Sequence, residues 1–361
     1  MRTLDRYIGK TIIGAILTVL LVLVAIFSFF SFIDQLDDLG RGRYGLAAVI
    51  QYILLSMPRL TYELFPVSAL IGTLIGLGTL VGNSEVAVMR NAGISIWRMV
   101  FAIMKAGALM MVLAVVFGEF LSPPSEQWAR HARSVAITDQ IALKTRNGFW
   151  ARDGQSYINI RTVRPGDRVE DIFIYEFDEN NRLKVSTHAQ RAAYIDGQWM
   201  LEEIAQTVIK DGAVINRTIS RAGWESLLRP DLINIVVIKP NNLASYDLVK
   251  YIRYLKTNGQ QTKRYEQALW TKMIYPLTTG VMVLLAIPIV LGGSRAVPIG
   301  QRVVLGSLLG LGFRLLNQAT ANAGIAYDLN APLSALFPTL ITLVVAIHMM
   351  YRMTRLKQGY S

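Results

Sequence analysis

The chain has no cysteine and only three histidines among its 361 residues. The lack of cysteine excludes disulfide bonds, thiolate nucleophiles, cysteine-ligated zinc and iron–sulfur clusters. The three histidines, His131, His188 and His348, are far apart in the sequence, which argues against a histidine-based metal site. We therefore expect this chain to bind no metal and no cofactor of its own.

Enzyme signatures are also absent. The sequence contains no P-loop motif G-x-x-x-x-G-K-[ST], no nucleophile motif G-x-S-x-G and no zinc motif H-E-x-x-H. We therefore do not expect an enzyme. Any active transport would have to be powered by ATP hydrolysis in another subunit.

Charged residues are few, at 17% of the chain, whereas hydrophobic residues make up 52%. This composition is typical of an integral membrane protein. The 37 Lys and Arg exceed the 25 Asp and Glu and give a net charge of +12. Such an excess is compatible with nucleic-acid binding, with anionic lipid or with basic cytoplasmic loops, and the positions of the charges distinguish these alternatives.

Six apolar segments are long enough to cross a bilayer, since about 20 helical residues span its hydrocarbon core. They are residues 11–33, 55–82, 97–121, 273–294, 303–324 and 332–352. We predict three membrane helices on each side of a soluble insert, with Pro123-Pro124 ending the third. Lys and Arg accumulate in alternate loops, so the positive-inside rule places both termini in the cytoplasm and the insert outside. We therefore expect no nucleic-acid partner.

The insert is predicted to be all-β, with the architecture of a sandwich or jelly roll. Short runs rich in Val, Ile, Thr and Tyr alternate with turn residues and predict strands at 156–163, 169–177, 183–194, 199–209, 214–224 and 233–239. Apolar residues then recur at helical spacing, which predicts an amphipathic helix from Asp247. The predicted domains are residues 1–124 with three membrane helices, 125–244 with the β insert, and 245–361 with the linker helix and the last three membrane helices.

The loop between the second and third membrane helices has the pattern of a short amphipathic helix. Ser84 occupies an N-cap position and Glu85 the first turn, where the helix dipole favours an anion. Val86 and Met89 share one face, and Gly93 ends the helix. Such a helix can dock into a groove of a cytoplasmic partner. The alternative is a simple connecting loop in which Glu85 only complements the dipole.

Arginines outside the cytoplasmic loops are candidate ligands for anions, because guanidinium groups bind phosphates in bidentate fashion. Arg314 lies inside the fifth apolar segment with Asn317 and Gln318 one turn further on. It is expected to face a polar cavity or a partner, and the alternative is a pair with a carboxylate inside the bundle. The remaining candidates lie near the external boundary, where contacts with lipid headgroups are the alternative; they are Arg41, Arg43, Arg59, Arg130 and Arg133.

Two pairs of glycines are spaced for close helix packing. Gly72 and Gly76 lie in the second membrane segment, and Gly306 and Gly310 in the fifth. Such G-x-x-x-G pairs allow neighbouring backbones to approach each other. We interpret them as packing sites, within this chain or against a second subunit.

Several short segments, taken in chain order, are typical of one family of membrane proteins. They are Leu4-Asp5-Arg6-Tyr7-Ile8-Gly9-Lys10-Thr11, Ser84-Glu85 with Val88-Met89 and Gly93, Gly118-Glu119, Gly148-Phe149-Trp150-Ala151 with Asp153-Gly154, and Val297-Pro298 with Gly300 and Arg302-Val303-Val304. The whole chain thereby resembles the LptF/LptG family of lipopolysaccharide export permeases, and its LptG branch more closely than its LptF branch.

The resemblance implies a permease subunit of an ATP-driven exporter in the inner membrane of Gram-negative bacteria. Such a subunit extracts lipopolysaccharide from the outer leaflet of that membrane and passes it to a periplasmic bridge. Its implied partners are an LptB-like ATPase dimer, which would bind ATP and Mg²⁺, an LptF-like permease, an LptC-like single-span protein and, indirectly, an LptA-like bridge. The β insert would lie in the periplasm.

The resemblance also assigns roles to residues. Glu85 would be the carboxylate that meets the ATPase, within a coupling segment that includes Ser84, Val88, Met89 and Gly93. Arg130 and Arg133 would contact the phosphates of the lipid. The stretch after the first helix departs from the family pattern, because Ser31, Asp37 and Asp38 stand where the better-known members carry lysines. Arg41 and Arg43 are expected to substitute for them, and Arg314 to add a further contact.

Two alternatives to transport follow from the residues. One is a membrane sensor or assembly protein whose external β domain binds a ligand and whose Glu85 loop reports inward without passage of a substrate. The other is a membrane-anchored hydrolase, which would have to rely on carboxylate chemistry. The resemblance favours transport over both.

Overall fold

The computed structural model describes residues 3–138, 143–164, 168–178, 180, 182–210, 213–224, 240–292 and 298–358. Before the inserted sheet the helices are α1 Thr3–Leu36, α2 Leu46–Gly82, α3 Glu85–Asn91, α4 Ile96–Val116, a π-helical segment Phe117–Leu121 and α5 Ser122–Thr138. After the sheet come a 3₁₀ turn Pro240–Asn242, α6 Ser245–Thr257, α7 Lys263–Leu291, α8 Ile299–Ala326 and α9 Ala331–Gln358.

Among the described residues, six helical spans are long and apolar enough to cross a membrane, which agrees with the predicted number. Each of them extends past its predicted apolar segment at one or both ends, although the fourth, Lys263–Leu291, ends before residue 294. The first span, for example, covers Thr3–Leu36 rather than residues 11–33. The additional turns include polar residues. A helix can continue past the hydrocarbon core where side chains or water satisfy its terminal backbone groups.

The third span corrects one prediction, because Pro123-Pro124 do not end it. The helix continues from Ile96 to Ile137 through the π-helical segment. This segment shifts the hydrogen-bond register, so that the amide of Ser122 donates to the carbonyl of Phe117. Both prolines then fall in the first turn of α5, where the missing backbone N–H and the fixed φ are tolerated. Residues 122–138, expected to belong mostly to the β insert, are therefore helical.

The all-β insert is confirmed, and the structure refines its architecture. The described strands form one antiparallel sheet in which each strand pairs with its sequence neighbours, in the order β1 to β6. The strands are β1 Leu143–Asp153, β2 Ser156–Arg164, β3 Arg168–Phe177, β4 Leu183–Ile195, β5 Gln198–Lys210 and β6 Ala213–Trp224. The strand predicted at 233–239 lies outside the described residues. Strand β1 is additional to the prediction.

A hydrophobic row crosses the sheet and accounts for its register. Ile160, Ile172, Ala189, Ile204 and Ile219 pair in succession from β2 to β6. A slip of one residue in any strand would turn its member of the row to the opposite face. The alternating apolar pattern in the sequence therefore specifies this pairing.

Helix α6 completes the core of the insert. Its apolar residues Leu248, Tyr251 and Leu255 are buried together with the hydrophobic face of the sheet. Burial raises the pKa of the Tyr251 phenol, with a further contribution from the neighbouring Tyr265. The predicted amphipathic helix is thus present, and its apolar face covers the sheet.

The helical bundle has two ends, defined by what lies there. At the α3 end, Lys105 pairs with Asp5 near the start of α1 at 2.8 Å, and the guanidinium of Arg302 near the start of α8 lies against Gly78 of α2. At the sheet end, the amide of Arg43 donates to the carbonyl of Ala136 at 2.7 Å. These ends correspond to the two sets of alternate loops in the sequence.

The glycine pairs are packing sites within this chain. A Cβ on Gly72 would lie 2.4 Å from the Cα of Ile16, and one on Gly76 would lie 3.0 Å from the Cβ of Ala15. Gly306 and Gly310 of α8 pack in the same way against side chains of α2. Close approach of the helices therefore depends on the missing side chains.

Substitution of Gly72 by alanine is expected to destabilise the bundle. The added methyl group would overlap the backbone of α1, which cannot move away as a flexible side chain could, so we expect a loss of about 1–3 kcal/mol in the free energy of unfolding. Gly14→Ala is the matched control, since nothing lies within 4 Å of its Cβ position. Unfolding in mixed detergent micelles measures both. Equal stability of the two variants would contradict the packing.

Candidate functional site

The α3 surface, formed by Glu85, Val88 and Arg90, is the exposed face of helix α3. Val88 is 66% exposed, and Arg90 is also exposed. Val86 and Met89 are buried against the bundle, as their shared face predicted. Of the apolar residues in the predicted coupling segment, Val88 is therefore accessible to a partner and Met89 anchors the helix from beneath.

Two hydrogen bonds orient the carboxylate of Glu85. The hydroxyl of Tyr7 donates to it at 2.8 Å, and the side-chain amide of Asn83 donates at 3.3 Å. Tyr7 belongs to the N-terminal run Leu4–Thr11, so this bond links the start of α1 to α3. The carboxylate is half-buried and retains a side that faces solvent. It can thus accept a further donor from outside the chain.

The ends of α3 agree only in part with the prediction. Ser84 stands at the N-cap position, but its φ of 61° is left-handed and its side chain makes no capping hydrogen bond. The prediction that the side chain of Ser84 caps the helix is therefore wrong. Gly93, with a φ of 80°, follows the helix end, and its amide donates to the carbonyl of Arg90 at 3.0 Å. A left-handed residue there favours glycine.

A polar cavity of about 500 Å³ opens at the sheet end between α2, α7 and α8. Its charged and polar lining is Arg59, Tyr62, Glu63, Ser122, Asn241, Asn242, Arg264, Gln267, Thr271, Lys272, Tyr275, Arg314, Asn317, Gln318 and Asn322. Arg314, Asn317 and Gln318 thus share one face, as their helical spacing predicted, and of the alternatives for that face the structure has the cavity. We call this space the arginine cavity.

The guanidinium of Arg314 is exposed, and no carboxylate pairs with it in the part of the chain that the structure describes. The alternative of an internal ion pair is therefore not observed there. A guanidinium without a counter-charge at membrane depth is expensive unless a polar cavity or an anion surrounds it. The arginine cavity can accept such an anion.

A buried carboxylate holds Arg59, which lines the cavity, and Arg130 of α5. Glu126 of α5 is fully buried and accepts hydrogen bonds from Nε of Arg130 at 2.7 Å and Nε of Arg59 at 3.1 Å. Asn242 also donates to it at 3.3 Å, and a second carboxylate, Glu63, holds Arg59 at 2.8 Å. Each guanidinium has five N–H donors, so both retain donors for another anion.

The remaining predicted arginines gather around Asp38. Its carboxylate pairs with Arg133 and, at 2.5 Å, with Arg41. Arg133 also lies 5.7 Å from the centre of the Tyr52 ring, a cation–π distance. Asp38 therefore neutralises part of the charge that the sequence attributed to this rim. Arg43 is close in the chain, and its backbone rather than its side chain makes the contact with α5 described above.

Burial of nearby Tyr44 raises the pKa of its phenol, and Arg133 only partly opposes this effect. The neutral hydroxyl donates to the side chain of Gln35 at 3.0 Å. This bond fixes the loop that carries Arg41 and Arg43 against the end of α1.

The sequence did not reveal the carboxylates that hold the arginines. Glu126 and Arg130 are four residues apart and would have been predicted as an ion pair had the helix been expected to continue past Pro124. The contacts of Arg59 with Glu126 and of Arg133 with Asp38 join residues 67 and 95 positions apart, for which a single sequence has no signal. Among the described residues, no group of three acidic or His side chains could hold a metal ion.

Comparison with known proteins agrees with this architecture. Residues 6–352 match the model of the family described as lipopolysaccharide export system permease LptF/LptG. The chain is 34% identical to the lipopolysaccharide export system permease protein LptG of Haemophilus influenzae over 348 residues, covering 96% of this chain and 97% of the relative. It is 33% identical to LptG of Escherichia coli K12 over 352 residues, covering 97% and 98%. The chain belongs to the LptF/LptG family of lipopolysaccharide export permeases.

Proposed function

We propose that this chain is the permease subunit of an ATP-driven exporter that takes lipopolysaccharide from the outer leaflet of the bacterial inner membrane and passes it to a periplasmic bridge. The arrangement of two surfaces at opposite ends of one bundle supports the proposal. The arginine cavity lies at the sheet end, and the α3 surface lies at the other. A substrate site and a motor site are thereby connected through the same helices.

The distribution of basic residues gives the orientation. Arg6 and Lys10, the α3 loop with Arg90 and Arg98, and the C-terminal turn with Arg352 and Arg355 belong to the α3 end. Under the positive-inside rule this end faces the cytoplasm together with both termini. The sheet and the arginine cavity then face the periplasm.

Lipid A phosphates are the anions that the arginine cavity would bind. Arg314 and Arg264 are exposed there and pair with no carboxylate among the described residues, while Arg59 and Arg130 are oriented by Glu126. Arg133 and Arg41 form the outer rim, shared with Asp38, and Arg43 lies beside them. Exposed leucines on α8, such as Leu308 and Leu315, offer an apolar surface for acyl chains. A cavity with a basic rim and apolar walls suits a lipid with an anionic head.

The α3 surface would dock an LptB-like ATPase dimer, which binds ATP and Mg²⁺. Glu85 and Val88 form the contact, and Ser84, Met89 and Gly93 shape the helix around them. The other proposed partners are an LptF-like permease completing the cavity, an LptC-like single-span protein and an LptA-like periplasmic bridge. Helix α8 is well suited to face a second permease, because only 17% of the residues in its most apolar stretch are buried within this chain.

Purification from native membranes in mild detergent, followed by mass spectrometry of the bound material, tests the assembly. We expect an ATPase, a second permease of the same family and lipopolysaccharide to remain with the chain. A chain recovered without ATPase and without lipopolysaccharide would contradict the exporter and would favour a sensor or assembly protein.

Arg314→Met is expected to weaken lipid binding without destabilising the fold. No carboxylate loses its partner when this charge is removed, so the free energy of unfolding should change by less than about 0.5 kcal/mol. The amount of lipopolysaccharide that copurifies should fall about tenfold, since a charge-assisted contact contributes about 1.5–3 kcal/mol. Arg253→Met is the matched control, because Arg253 is exposed on α6 and lies outside the lining of the arginine cavity, and its lipid content should stay unchanged. Unchanged lipid content in Arg314→Met would exclude Arg314 from the lipid site.

A further inference from the structure

A carboxylate in the π-helical segment of the third membrane span connects that span to helix α6. The backbone amide of Ser245 donates to Glu119 at 2.9 Å, and the Ser245 hydroxyl donates to it at 2.6 Å. Ser245 is the first residue of α6, and the residue before it, Ala244, has no side chain that could cap the helix. The cap of α6 is therefore supplied by Glu119, from another helix.

A buried lysine strengthens this contact from the fourth span. The ammonium group of Lys272, on α7, lies 3.6 Å from the carboxylate of Glu119 and donates to the carbonyl of Leu243 at 2.6 Å. Lys272 is only 8% exposed. Charged pairs within membrane helices are costly and usually serve a function. We call the set Glu119, Ser245, Lys272 and Leu243 the Glu119 junction.

The far end of α6 is attached to the sheet. The hydroxyl of Tyr254 donates to the carbonyl of Arg152 at 3.0 Å, and the amide of Gly154 donates to the side chain of Asn258 at 3.1 Å. The carbonyl of Arg152 and the amide of Gly154 both belong to the region of the turn between β1 and β2. Helix α6 thus links the Glu119 junction to the sheet, and its apolar face lies in the core of the sheet.

The π-helical segment places Glu119 at the junction. An extra residue in the turn rotates the following side chains relative to a regular α-helix, and such segments are frequent at functional sites. Gly118 in the same turn lets the ring of Tyr62 approach, since a Cβ there would lie 2.5 Å from it. The local geometry is therefore specific to this turn of the span.

We propose that Glu119 is a positioning residue for export: with Lys272 it holds α6, and through α6 the sheet, in a fixed orientation on the third and fourth membrane spans. Movement of these spans, driven by the ATPase, is then passed to the sheet through the Glu119 junction. This inference rests on the proposed function. The proposal predicts that a weakened junction uncouples ATP hydrolysis from lipid release.

Three variants in the purified complex test this coupling. Glu119→Gln leaves one acceptor oxygen for two donors and removes the charge opposite Lys272, and Ser245→Ala removes one hydrogen bond without changing any charge. Glu266→Gln is the matched control. It removes an ion pair of similar kind between α7 and α6, in which Glu266 lies 2.8 Å from Lys256, but at the end of α6 where the chain itself connects the two helices. That connection keeps α6 and α7 together without the pair.

The expected result is a loss of coupling with ATPase activity retained. Lipopolysaccharide released per ATP hydrolysed should fall about fivefold or more in Glu119→Gln, less in Ser245→Ala, and remain unchanged in Glu266→Gln. An unchanged ratio in Glu119→Gln would overturn the proposal. So would a proportional fall in ATPase activity and release, because that result indicates a purely structural role.

A distance measurement tests the junction independently of transport. Since the chain has no cysteine, spin labels can be placed on introduced cysteines at Val214 in β6 and Leu329 at the sheet end of the bundle, both of which are exposed. We expect a narrow distance distribution in the parent and in Glu266→Gln, and a broad one in Glu119→Gln and Ser245→Ala. Distance distributions of equal width in all four proteins would overturn the proposal even if transport is intact.

A different result would contradict the proposed function instead. If the parent complex released no lipid, the exporter role would be contradicted, and the widths of the distance distributions would still decide whether the junction holds the sheet.

Discussion

Glu85→Arg is expected to remove the ATPase subunits from the purified complex or to abolish lipid-stimulated ATP hydrolysis. The carboxylate of Glu85 is held by Tyr7 and Asn83 at the start of α3. An arginine at this position would place a cation at the positive end of the helix dipole and beside a partner site selected for an anion. We expect at least a hundredfold loss of ATPase association or activity, about 2.7 kcal/mol or more.

Tyr7→Phe separates the charge of Glu85 from its orientation. This variant keeps the carboxylate and removes the donor that holds it, so a loss of about threefold to tenfold is expected. ATPase recovery and ATP hydrolysis are measured on the same preparations. A Glu85→Arg complex that retains both at the parental level would show that Glu85 only stabilises α3.

Glu126→Ala is expected to cause the largest loss of stability among single substitutions at the arginine cavity. The carboxylate is fully buried and serves Arg59, Arg130 and Asn242. Its removal takes this acceptor from Arg130 and Asn242, and it leaves Arg59 with Glu63 alone. Breaking a buried pair costs about 3–5 kcal/mol, and we expect about 3 kcal/mol because both arginines are partly exposed. Unfolding in mixed detergent micelles measures the change.

Glu63→Gln is the control for Glu126. The Glu63 side chain is 35% exposed and pairs with Arg59, which also keeps its bond to Glu126. We expect a loss below about 1 kcal/mol. If Glu126→Ala were no more destabilising than Glu63→Gln, the buried carboxylate could not be the group that organises the arginines.

The membrane architecture could be predicted because its signals are local and strong. Each span is a long apolar run, and the sheet shows alternation that matches its register. Strand β1 was missed, because its first half, with Lys144, Arg146 and Asn147, lacks an alternating pattern and its pairing with β2 shifts between Lys144 and Phe149. The helix through Pro123-Pro124 was missed, because a change of hydrogen-bond register in the preceding turn has no simple sequence signature.

The candidate site was predicted in its components but not in its pairing. Helical spacing predicted that Arg314, Asn317 and Gln318 share one hydrophilic face, and the structure places that face in a cavity. The carboxylates around the other arginines come mostly from distant parts of the chain. Asp38 was interpreted only as a position that lacks the lysine of the better-known family members. Tertiary contacts of this kind determine which guanidinium groups are free to bind an anion.

ATP-dependent transfer of lipopolysaccharide is the measurement that tests the central claim most directly. The complete complex is reconstituted into liposomes that contain lipopolysaccharide, and transfer to a purified periplasmic acceptor is followed with and without ATP. We predict transfer that requires ATP and is lost in Glu85→Arg. ATP hydrolysis by the intact complex without any transfer, or transfer at the same rate without ATP, would contradict the account.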